Sequence, residues 1–470
     1  MKKQISILIL TIVVLMSSCS KKTANTNLES ADILIFNGIV LTVDSLGTII
    51  KDGAVVIKSN KIIDLGKSED ILKKYTAKEN IDAKGKIIMP GFVNVHTHLA
   101  MTVFRGLADD LVLQDWLTKY IFPAEAEFID AKTVRAGSEL AMVEMIHSGT
   151  TTFNDMYFYE DETAQAATNI GMRGFVGESL IDFPVPNSAN YQKSLEYMDM
   201  LLKKYKDSEL IKISMAVHSP YTCSAELIKT SKKIADQNNQ IYHMHVSETK
   251  WEVDSIKKTF KMTPVEYLDN LGVLSNNFVA AHCVWLSPND IKIMAERKVG
   301  IAHNPECNMK ISSGIAPIPE LLKAKAEVGL GTDGVASNNN MNMIEEMHTM
   351  ALLHKLSKMD PTAIPAETVI RTATIGSARV LGMQNEIGSL EKGKKADIIL
   401  IDTDSPNMTP LYNVYSSLVY AASGSDVNTV IINGKIIMKE KKILTIDEQI
   451  VKANVNEIAK KIGDKLLKKK

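Results

Sequence analysis

The fold is decided by residues 90–98, which read Pro90-Gly91-Phe92-Val93-Asn94-Val95-His96-Thr97-His98. The apolar residues of this stretch predict a short buried strand, and two imidazoles come at its carboxyl end. Residues two positions apart on a strand point to the same side, so His96 and His98 can bind one metal ion together. In parallel β/α folds the functional residues lie at the carboxyl ends of strands, so the other strand ends are expected to supply the partners of these histidines.

Seven further apolar runs follow this strand, and each leaves room for a helix before the next run. Such repeats predict an α/β fold, a TIM-type (β/α)8 barrel with a parallel sheet, over residues 90–385. A doubly wound open sheet is the alternative, but no GxGxxG turn follows the first strand. The eight predicted strands are 91–95, 150–154, 174–176, 211–217, 241–246, 278–281, 300–302 and 328–331.

Both flanks of this region are rich in Ile and Val, and their short apolar runs are separated by turn dipeptides. Asn37-Gly38 and Asp52-Gly53 interrupt the first flank, and Asn433-Gly434 interrupts the second. These dipeptides are typical of turns between antiparallel strands. We expect residues 32–89 and 386–445 to form one composite β-sandwich beside the barrel, and residues 446–470 to form a C-terminal helix.

The balance of charged residues argues against nucleic acid as a partner. The 470 residues carry 54 Lys plus Arg and 55 Asp plus Glu, a formal net charge of −1. This balance gives no indication of nucleic-acid binding. Cys223, Cys283 and Cys307 follow no zinc-ribbon or CxxC spacing, and we interpret them as ordinary small core or loop residues.

The N-terminus has the pattern of a bacterial lipoprotein. Lys2 and Lys3 precede an apolar run over residues 5–16, which is too short to span a bilayer. Met16-Ser17-Ser18-Cys19 resembles a lipobox, in which the cysteine is lipidated and becomes the first residue of the mature chain. We expect residues 1–18 to be a signal peptide and residues 19–31 to be a polar tether. The protein would then be a membrane-anchored lipoprotein outside the cytoplasm, held to the membrane through its N-terminal lipid only.

Histidines concentrate at the predicted strand ends. A single histidine there is more often a core residue, but several at one rim of a barrel are hard to place as core filler. His243 lies one layer deeper in its strand than His245, and we interpret it as a hydrogen-bonded core residue. The six of ten histidines at or near strand ends are His96, His98, His218, His243, His245 and His282.

The pattern predicts one metal site at this rim. A third imidazole and one carboxylate beside His96 and His98 complete three nitrogens and one oxygen, with room left for a water. We assign His245 as the third ligand, because it is near its strand end and its spacing places Glu248 over the site. Asp333, which follows another strand in Gly331-Thr332-Asp333-Gly334, is the fourth ligand.

The ordered set of motifs resembles the 5-methylthioadenosine/S-adenosylhomocysteine deaminases of the amidohydrolase superfamily. The resemblance extends from residue 32 to the C-terminal strands. Besides residues 90–98, it rests on Arg105-Gly106-Leu107-Ala108-Asp109-Asp110-Leu111, Asp115-Trp116-Leu117, His218-Ser219-Pro220-Tyr221-Thr222-Cys223-Ser224, His245-Val246-Ser247-Glu248-Thr249, Ala280-Ala281-His282-Cys283 and Gly331-Thr332-Asp333-Gly334-Val335-Ala336-Ser337-Asn338.

The resemblance implies a hydrolytic deaminase of adenine-type nucleosides, which forms the inosine analogue and ammonia. Its substrates would be 5′-methylthioadenosine, adenosine or S-adenosylhomocysteine. It also implies one divalent metal, with zinc favoured over Fe²⁺ or Mn²⁺, held by the four ligands assigned above. Whether the chain forms a homo-oligomer stays open.

The resemblance implies roles for individual residues as well. His282 and Asp333 would activate the attacking water, and Glu248 would protonate the ring nitrogen beside the attacked carbon. Trp116 and His218 would contact the substrate together with Glu248. For Trp116, simple packing is an equal alternative, because buried aromatic residues are common in cores.

The sequence departs from this family at a few positions. Glu178 stands where members that accept S-adenosylhomocysteine usually carry an arginine. A substrate carboxylate favours a guanidinium partner, so we expect 5′-methylthioadenosine or adenosine to be preferred. The other departures are local: Trp285, Glu306-Cys307, and His348 in place of an expected arginine.

Two alternative functions stay open on the sequence alone. The same site could deaminate another heterocycle, such as a guanine, pterin or triazine ring. The chain could instead be a lipid-anchored receptor that binds nucleosides without turnover. The complete set of metal ligands and proton-transfer residues speaks against the receptor.

Overall fold

A computed structural model describes residues 28–466 of the chain. The predicted signal peptide, Cys19 and most of the predicted tether therefore lie outside the described residues. Within the described part, no helix combines the length and the apolar composition that crossing a membrane requires.

The described chain begins with five strands of a β domain. β1 starts at Glu29, so residues 29–31, which were predicted as tether, belong to a strand. β1 pairs antiparallel with one strand and parallel with two others, so it lies inside the sheet. The bounds are β1 (Glu29–Leu41), β2 (Ile49–Lys58), β3 (Lys61–Lys67), α1 (Ser68–Ile71), β4 (Tyr75–Asp82) and β5 (Lys86–Pro90).

The next ten strands close into a barrel with eight positions, and every pairing is parallel. Position four is interrupted at Ser214, and position eight is continued by a two-residue strand. All eight predicted barrel strands are present, so the barrel prediction is confirmed. The bounds are β6 (Phe92–His98), β7 (Thr150–Tyr157), β8 (Arg173–Leu180), β9 (Ile211–Ile213), β10 (Met215–Val217), β11 (Tyr242–Val246), β12 (Phe278–His282), β13 (Gly300–His303), β14 (Glu327–Leu330) and β15 (Asp333–Gly334).

Helices connect the barrel strands, and side-chain caps fix where several of them begin. Asp130 accepts a hydrogen bond from Thr133 N at 2.7 Å, and Thr263 and Ser287 form capping boxes. The bounds are α2 (Leu113–Asp115), α3 (Phe122–Phe128), α4 (Ala131–His147), α5 (Glu160–Ile170), α6 (Tyr191–Lys204), α7 (Ala225–Gln237), α8 (Lys250–Phe260), α9 (Pro264–Asn270), α10 (Pro288–Arg297), α11 (Pro305–Lys310), α12 (Ile318–Lys323), α13 (Val335–Asn338), α14 (Met343–Lys358), α15 (Ala366–Arg371) and α16 (Ser377–Val380).

The last strands return to the β domain, so the predicted composite domain is present. The nine strands from both chain ends form one hydrogen-bonded sheet, in which β5 pairs antiparallel with the first returning strand. The C-terminal helix packs against α4. The bounds are β16 (Ile398–Asp402), α17 (Val414–Tyr420), β17 (Val427–Ile432), β18 (Lys435–Lys439), β19 (Lys442–Ile443) and α18 (Glu448–Leu466).

A buried ion pair joins the barrel to the β domain. Arg173, at the start of β8, donates through Nε and Nη2 to the two carboxylate oxygens of Asp397, at 2.8 and 3.1 Å. Both side chains are 2% exposed. Arg173 also donates to the carbonyl of Glu209, and Asn433 N donates to Asp397, so the buried charges have further partners. Breaking a buried pair leaves an uncompensated charge, so this contact holds the two parts in register.

Candidate active site

The carboxyl ends of three barrel positions bring the four predicted metal ligands together. His96 and His98 lie on β6, His245 lies on β11, and Asp333 is the first residue of β15. β15 pairs with the end of β6, with Asp333 opposite Thr97. This pairing carries the aspartate to the two histidines although they are far apart in the sequence.

The four donor atoms have spacings that fit a divalent ion. Asp333 Oδ1 lies 3.3 Å from His96 Nε2 and 3.2 Å from His98 Nε2, and His245 Nε2 lies 3.3 Å from His98 Nε2. A tetrahedral ion about 2.1 Å from each donor separates the donors by about 3.4 Å. Among the described residues, the buried His96 Nε2 has no hydrogen-bond partner. A bound ion would supply the missing partner.

The second ring nitrogen of each histidine ligand is engaged behind the site. His98 Nδ1 donates to the Met156 carbonyl at 2.6 Å, and His245 Nδ1 donates to the His218 carbonyl at 2.7 Å. His96 Nδ1 shares a hydrogen bond of 2.9 Å with His243 Nε2. These contacts turn the Nε2 lone pairs toward the metal position. His243 thus lies one layer behind the site, as expected for a hydrogen-bonded core residue.

The surroundings of the four ligands shift their pKa values in different directions. Burial lowers the pKa of His96 to about 4 and that of His245 well below its usual range, so both rings are neutral near pH 7. Burial alone would raise the pKa of Asp333, but the adjacent imidazoles of His96 and His98 hold it well below its usual range. Burial alone would lower the pKa of His98, but the Asp333 carboxylate, 3.2 Å from its Nε2, raises it to about 9. A metal ion that binds here therefore displaces the proton of His98, whereas His96 and His245 are already in the neutral form that binds a metal.

His282 and Glu248 flank the metal position on the side of the cavity. His282, at the end of β12, donates through Nδ1 to Asn308 Oδ1 at 2.9 Å. Its Nε2 lies 3.8 Å from Asp333 Oδ2 and 3.9 Å from Glu248 Oε2. Burial raises the pKa of Glu248. Both distances exceed a hydrogen bond, so a proton passes between these side chains only through a water or a substrate atom that lies between them.

Glu248 is held by the residue one helical turn further on. Glu252 accepts from the backbone N–H groups of Ser247 and Glu248, both at 2.8 Å. Ser247 has a left-handed backbone with φ of 53°. The Glu252 carboxylate therefore stabilises the sharp turn that aims Glu248 into the cavity.

One cavity opens at the barrel mouth, and all the substrate contacts predicted from the sequence line it. Trp116, His218 and Glu248 form part of its wall, together with His282 and Asp333. Trp116 donates its indole N–H to the Ala108 carbonyl at 3.1 Å, so only its apolar ring is left to contact a ligand. Much of the remaining wall is apolar, with Met101, Leu113, Leu117, Phe122, Phe158 and Ile181.

One carboxylate of the cavity was missed by the sequence analysis. Glu125, on α3, lines the cavity, and its Oε1 accepts from the Tyr157 hydroxyl at 2.7 Å. Burial raises the pKa of Glu125 to about 7. The search for functional residues at strand ends could not find Glu125, because this residue lies within a helix. The only signal is an acidic residue between apolar ones, in Phe122-Pro123-Ala124-Glu125.

Glu178, which stands where an arginine is expected, does not line the cavity. Ser179 lines the cavity, whereas the neighbouring Glu178 points to the opposite face of β8. There its carboxylate accepts from Glu160 N at 3.1 Å and from Asn187 Nδ2 at 2.7 Å, and burial raises its pKa to about 7. Glu178 is fully buried and cannot repel a substrate carboxylate.

The other departures from the family pattern lie at different places in the fold. Trp285 donates to the Ser313 carbonyl at the rim, and His348, on α14, contacts the carbonyl of Val419 on α17. Glu306 accepts from Asn340 and Thr349 outside the cavity. The three cysteines of the described chain are buried and free, which agrees with small core residues. Cys307 is an exception, because its Sγ lies 2.7 Å from Asp333 Oδ2.

Known proteins resemble this chain along most of its length. The profile of the Amidohydrolase family matches residues 87–437. A protein of Syntrophobacter fumaroxidans named 5-methylthioadenosine/S-adenosylhomocysteine deaminase is 45% identical over 432 residues, which cover 92% of this chain and 98% of that protein. A protein of Methanosarcina mazei named 5′-deoxyadenosine deaminase is 44% identical, with 93% and 99% covered.

A solved structure supports the same relationship. The crystal structure of an adenosine deaminase from Xanthomonas campestris with bound zinc superposes with a TM-score of 0.91 at 35% identity, covering 93% of this chain and 99% of that one. Three findings agree on this relationship. The barrel has eight parallel strands, its rim carries three histidines and one aspartate, and the similarity covers nearly the whole described chain. The chain belongs to the amidohydrolase family, within the group of the 5-methylthioadenosine/S-adenosylhomocysteine deaminases.

Proposed function

We propose that the protein is a metal-dependent hydrolytic deaminase of adenine-type nucleosides. The carrying observation is that a site of three histidines and one aspartate shares one cavity with His282 and Glu248. In the reaction, water oxygen adds to C6 of the ring, the bond from C6 to the amino nitrogen breaks, and ammonia leaves. The product carries an oxo group in place of the amino group.

The ligands we propose are His96, His98, His245 and Asp333, and the ion we propose is zinc. Imidazole suits zinc, and three nitrogens with one oxygen leave a position for water. When bound, such an ion lowers the pKa of the attacking water toward neutrality. The relative with bound zinc supports this choice of metal.

The residues of the chain handle the protons. Asp333 Oδ2 takes a proton from the attacking water and delivers it to the departing amino nitrogen, and His282 orients this water through Nε2, since its Nδ1–H is engaged by Asn308. Glu248 donates to the ring nitrogen next to the attacked carbon, because burial favours its protonated form. Glu248 then regains a proton from the hydroxyl group formed on that carbon, which leaves the oxo group. Positioned proton transfer of this kind contributes roughly 10²–10⁴-fold to a rate.

The rest of the nucleoside fits the cavity by chemistry. The apolar ring of Trp116 and the apolar wall suit a purine and a small 5′ substituent. Glu125 is a buried acceptor that suits the hydroxyl groups of a sugar. Within the described residues, none of the side chains that line the cavity is Lys or Arg.

Removing one imidazole tests the metal site. His245→Ala should lose both the bound metal and ammonia release from adenosine, because the three donors that remain do not enclose the ion. His147→Ala, which changes a histidine paired with Glu448 outside the cavity, serves as the control. Metal content is measured by elemental analysis. Full occupancy in His245→Ala would show that the ligand set is wrong, with His243 as the next candidate.

Replacing Glu248 tests the proton transfer and the proposed reaction. Glu248→Gln should retain the metal and lose roughly 10²–10⁴-fold in kcat, because an amide cannot donate and recover a proton. Glu139→Gln, a partly buried carboxylate on α4 that does not line the cavity, is the control. The assay follows ammonia release. Turnover near that of the wild type would remove Glu248 from the mechanism.

Among the described residues the cavity wall carries no Lys or Arg, and this predicts the order of substrates. The carboxylate of S-adenosylhomocysteine finds no Lys or Arg on the wall, and such a contact is worth roughly 1.5–3 kcal/mol. We therefore expect kcat/KM for 5′-methylthioadenosine and adenosine to exceed that for S-adenosylhomocysteine by about tenfold or more. Glu178→Gln should leave this ratio unchanged, since Glu178 lies outside the cavity. Equal efficiency on all three substrates would contradict the argument.

We also propose that Cys19 carries a lipid that anchors the enzyme to a membrane outside the cytoplasm. The support is the sequence alone: Lys2 and Lys3, the apolar run over residues 5–16, and Ser17-Ser18-Cys19. Cys19→Ala should release the protein from the membrane fraction or leave it unprocessed. Ser18→Ala, beside the cysteine, is the control. The anchor hypothesis fails if Cys19→Ala fractionates and migrates like the wild type.

A further inference from the structure

Cys307 contacts the aspartate at the centre of the site, although no motif gave this cysteine a role. It lies on α11, just after β13, and its side chain is fully buried. Its Sγ is 2.7 Å from Asp333 Oδ2. A carboxylate only accepts hydrogen bonds, so the thiol is the donor in this contact.

The two oxygens of Asp333 have different neighbours. Oδ1 faces His96 Nε2 and His98 Nε2, and it accepts from Gly334 N at 2.7 Å. Oδ2 faces His282 Nε2 at 3.8 Å and accepts from Cys307. One oxygen is thus on the metal side and the other is on the side of proton transfer. Rotation of the carboxylate would exchange the oxygen that faces the metal ligands with the oxygen that faces His282.

The backbone alone does not hold Asp333 in place. Its φ is 65°, in the left-handed region, and β15 is only two residues long. Residues in this region keep their conformation when their surroundings over-determine it. With its amide turned so that the nitrogen donates to the Ala302 carbonyl, Asn304 accepts from Asp333 N at 3.1 Å. Cys307, three residues later, then fixes the side chain.

We propose that Cys307 is a positioning residue, whose thiol holds Oδ2 of Asp333 toward His282 and so keeps Oδ1 turned to the metal ligands. The inference deepens the proposed function and rests on it. The adjacent Asn308 accepts from His282 Nδ1, so the same helical turn orients both residues that handle the proton of the water. α11 therefore connects the two sides of the site.

Three variants separate positioning from packing. Cys307→Ala removes the donor, Cys307→Ser keeps a donor of similar size, and Cys223→Ala is the control. Cys223 is also buried, but its Sγ donates to the Leu180 carbonyl and does not contact Asp333. The readouts are kcat and KM for 5′-methylthioadenosine, and the rate at which the zinc-loaded enzyme loses zinc to a chelator.

We expect Cys307→Ala to lower kcat roughly 10- to 100-fold with little change in KM, and to speed zinc loss by a similar factor. Cys307→Ser should recover most of both losses, and Cys223→Ala should resemble the wild type. The proposal is overturned if Cys307→Ala keeps both rates, if serine rescues neither, or if the control loses as much. If the wild type releases no ammonia from any nucleoside, the proposed function fails, and zinc loss alone decides on Cys307.

A cobalt-substituted enzyme tests the remaining alternative, that the thiol binds the metal directly. A thiolate ligand gives a sulfur-to-cobalt absorption band, which a hydrogen-bonded thiol does not give. We expect the same spectrum for the wild type and Cys307→Ser. A band that disappears in Cys307→Ser would make Cys307 a ligand and overturn the positioning role.

Discussion

The site depends on one constraint: four donor atoms must face a single point inside a volume that excludes most water. Burying imidazoles and a carboxylate is costly unless every polar atom has a partner. The carbonyls of Met156 and His218 and the ring of His243 supply these partners behind the histidines. Gly334 N and Cys307 supply them around Asp333. The converging strand ends are therefore only half of the site, and the layer behind them is the other half.

The β domain and the barrel are built as one unit around the strand that carries the first two ligands. β5 leads directly into β6 at Gly91, where an added Cβ would lie 2.2 Å from the Thr151 side chain. The close approach excludes any larger residue there without movement of the neighbouring strand. Arg173 and Asp397 connect the next side of the barrel to the same sheet. The position of His96 and His98 is thus linked to strands from both ends of the chain.

The apolar wall of the cavity affects both the proposed catalysis and the proposed choice of substrate. Burial raises the pKa of Glu248 and brings that of Glu125 to about 7, so carboxyl groups that would be ionised in water can hold protons here. Among the lining side chains of the described chain, the same surroundings contain no Lys or Arg to pair with a charged substituent. A neutral nucleoside is stabilised by contact with this apolar wall, whereas a charged amino-acid group would lose its hydrating water without gaining a charged partner.

The sequence by itself determined the barrel, the composite β domain and the residues that gather at the rim, because strand ends in a parallel barrel all meet on one side. It could not determine on which face of β8 Glu178 lies, since a shift of one residue moves a side chain to the other face. Nor could it place Glu125, Cys307 and Asn308, which lie on helices. Only the closed barrel decides how near these helices come to Asp333, His282 and the cavity, because these contacts join segments distant in the chain.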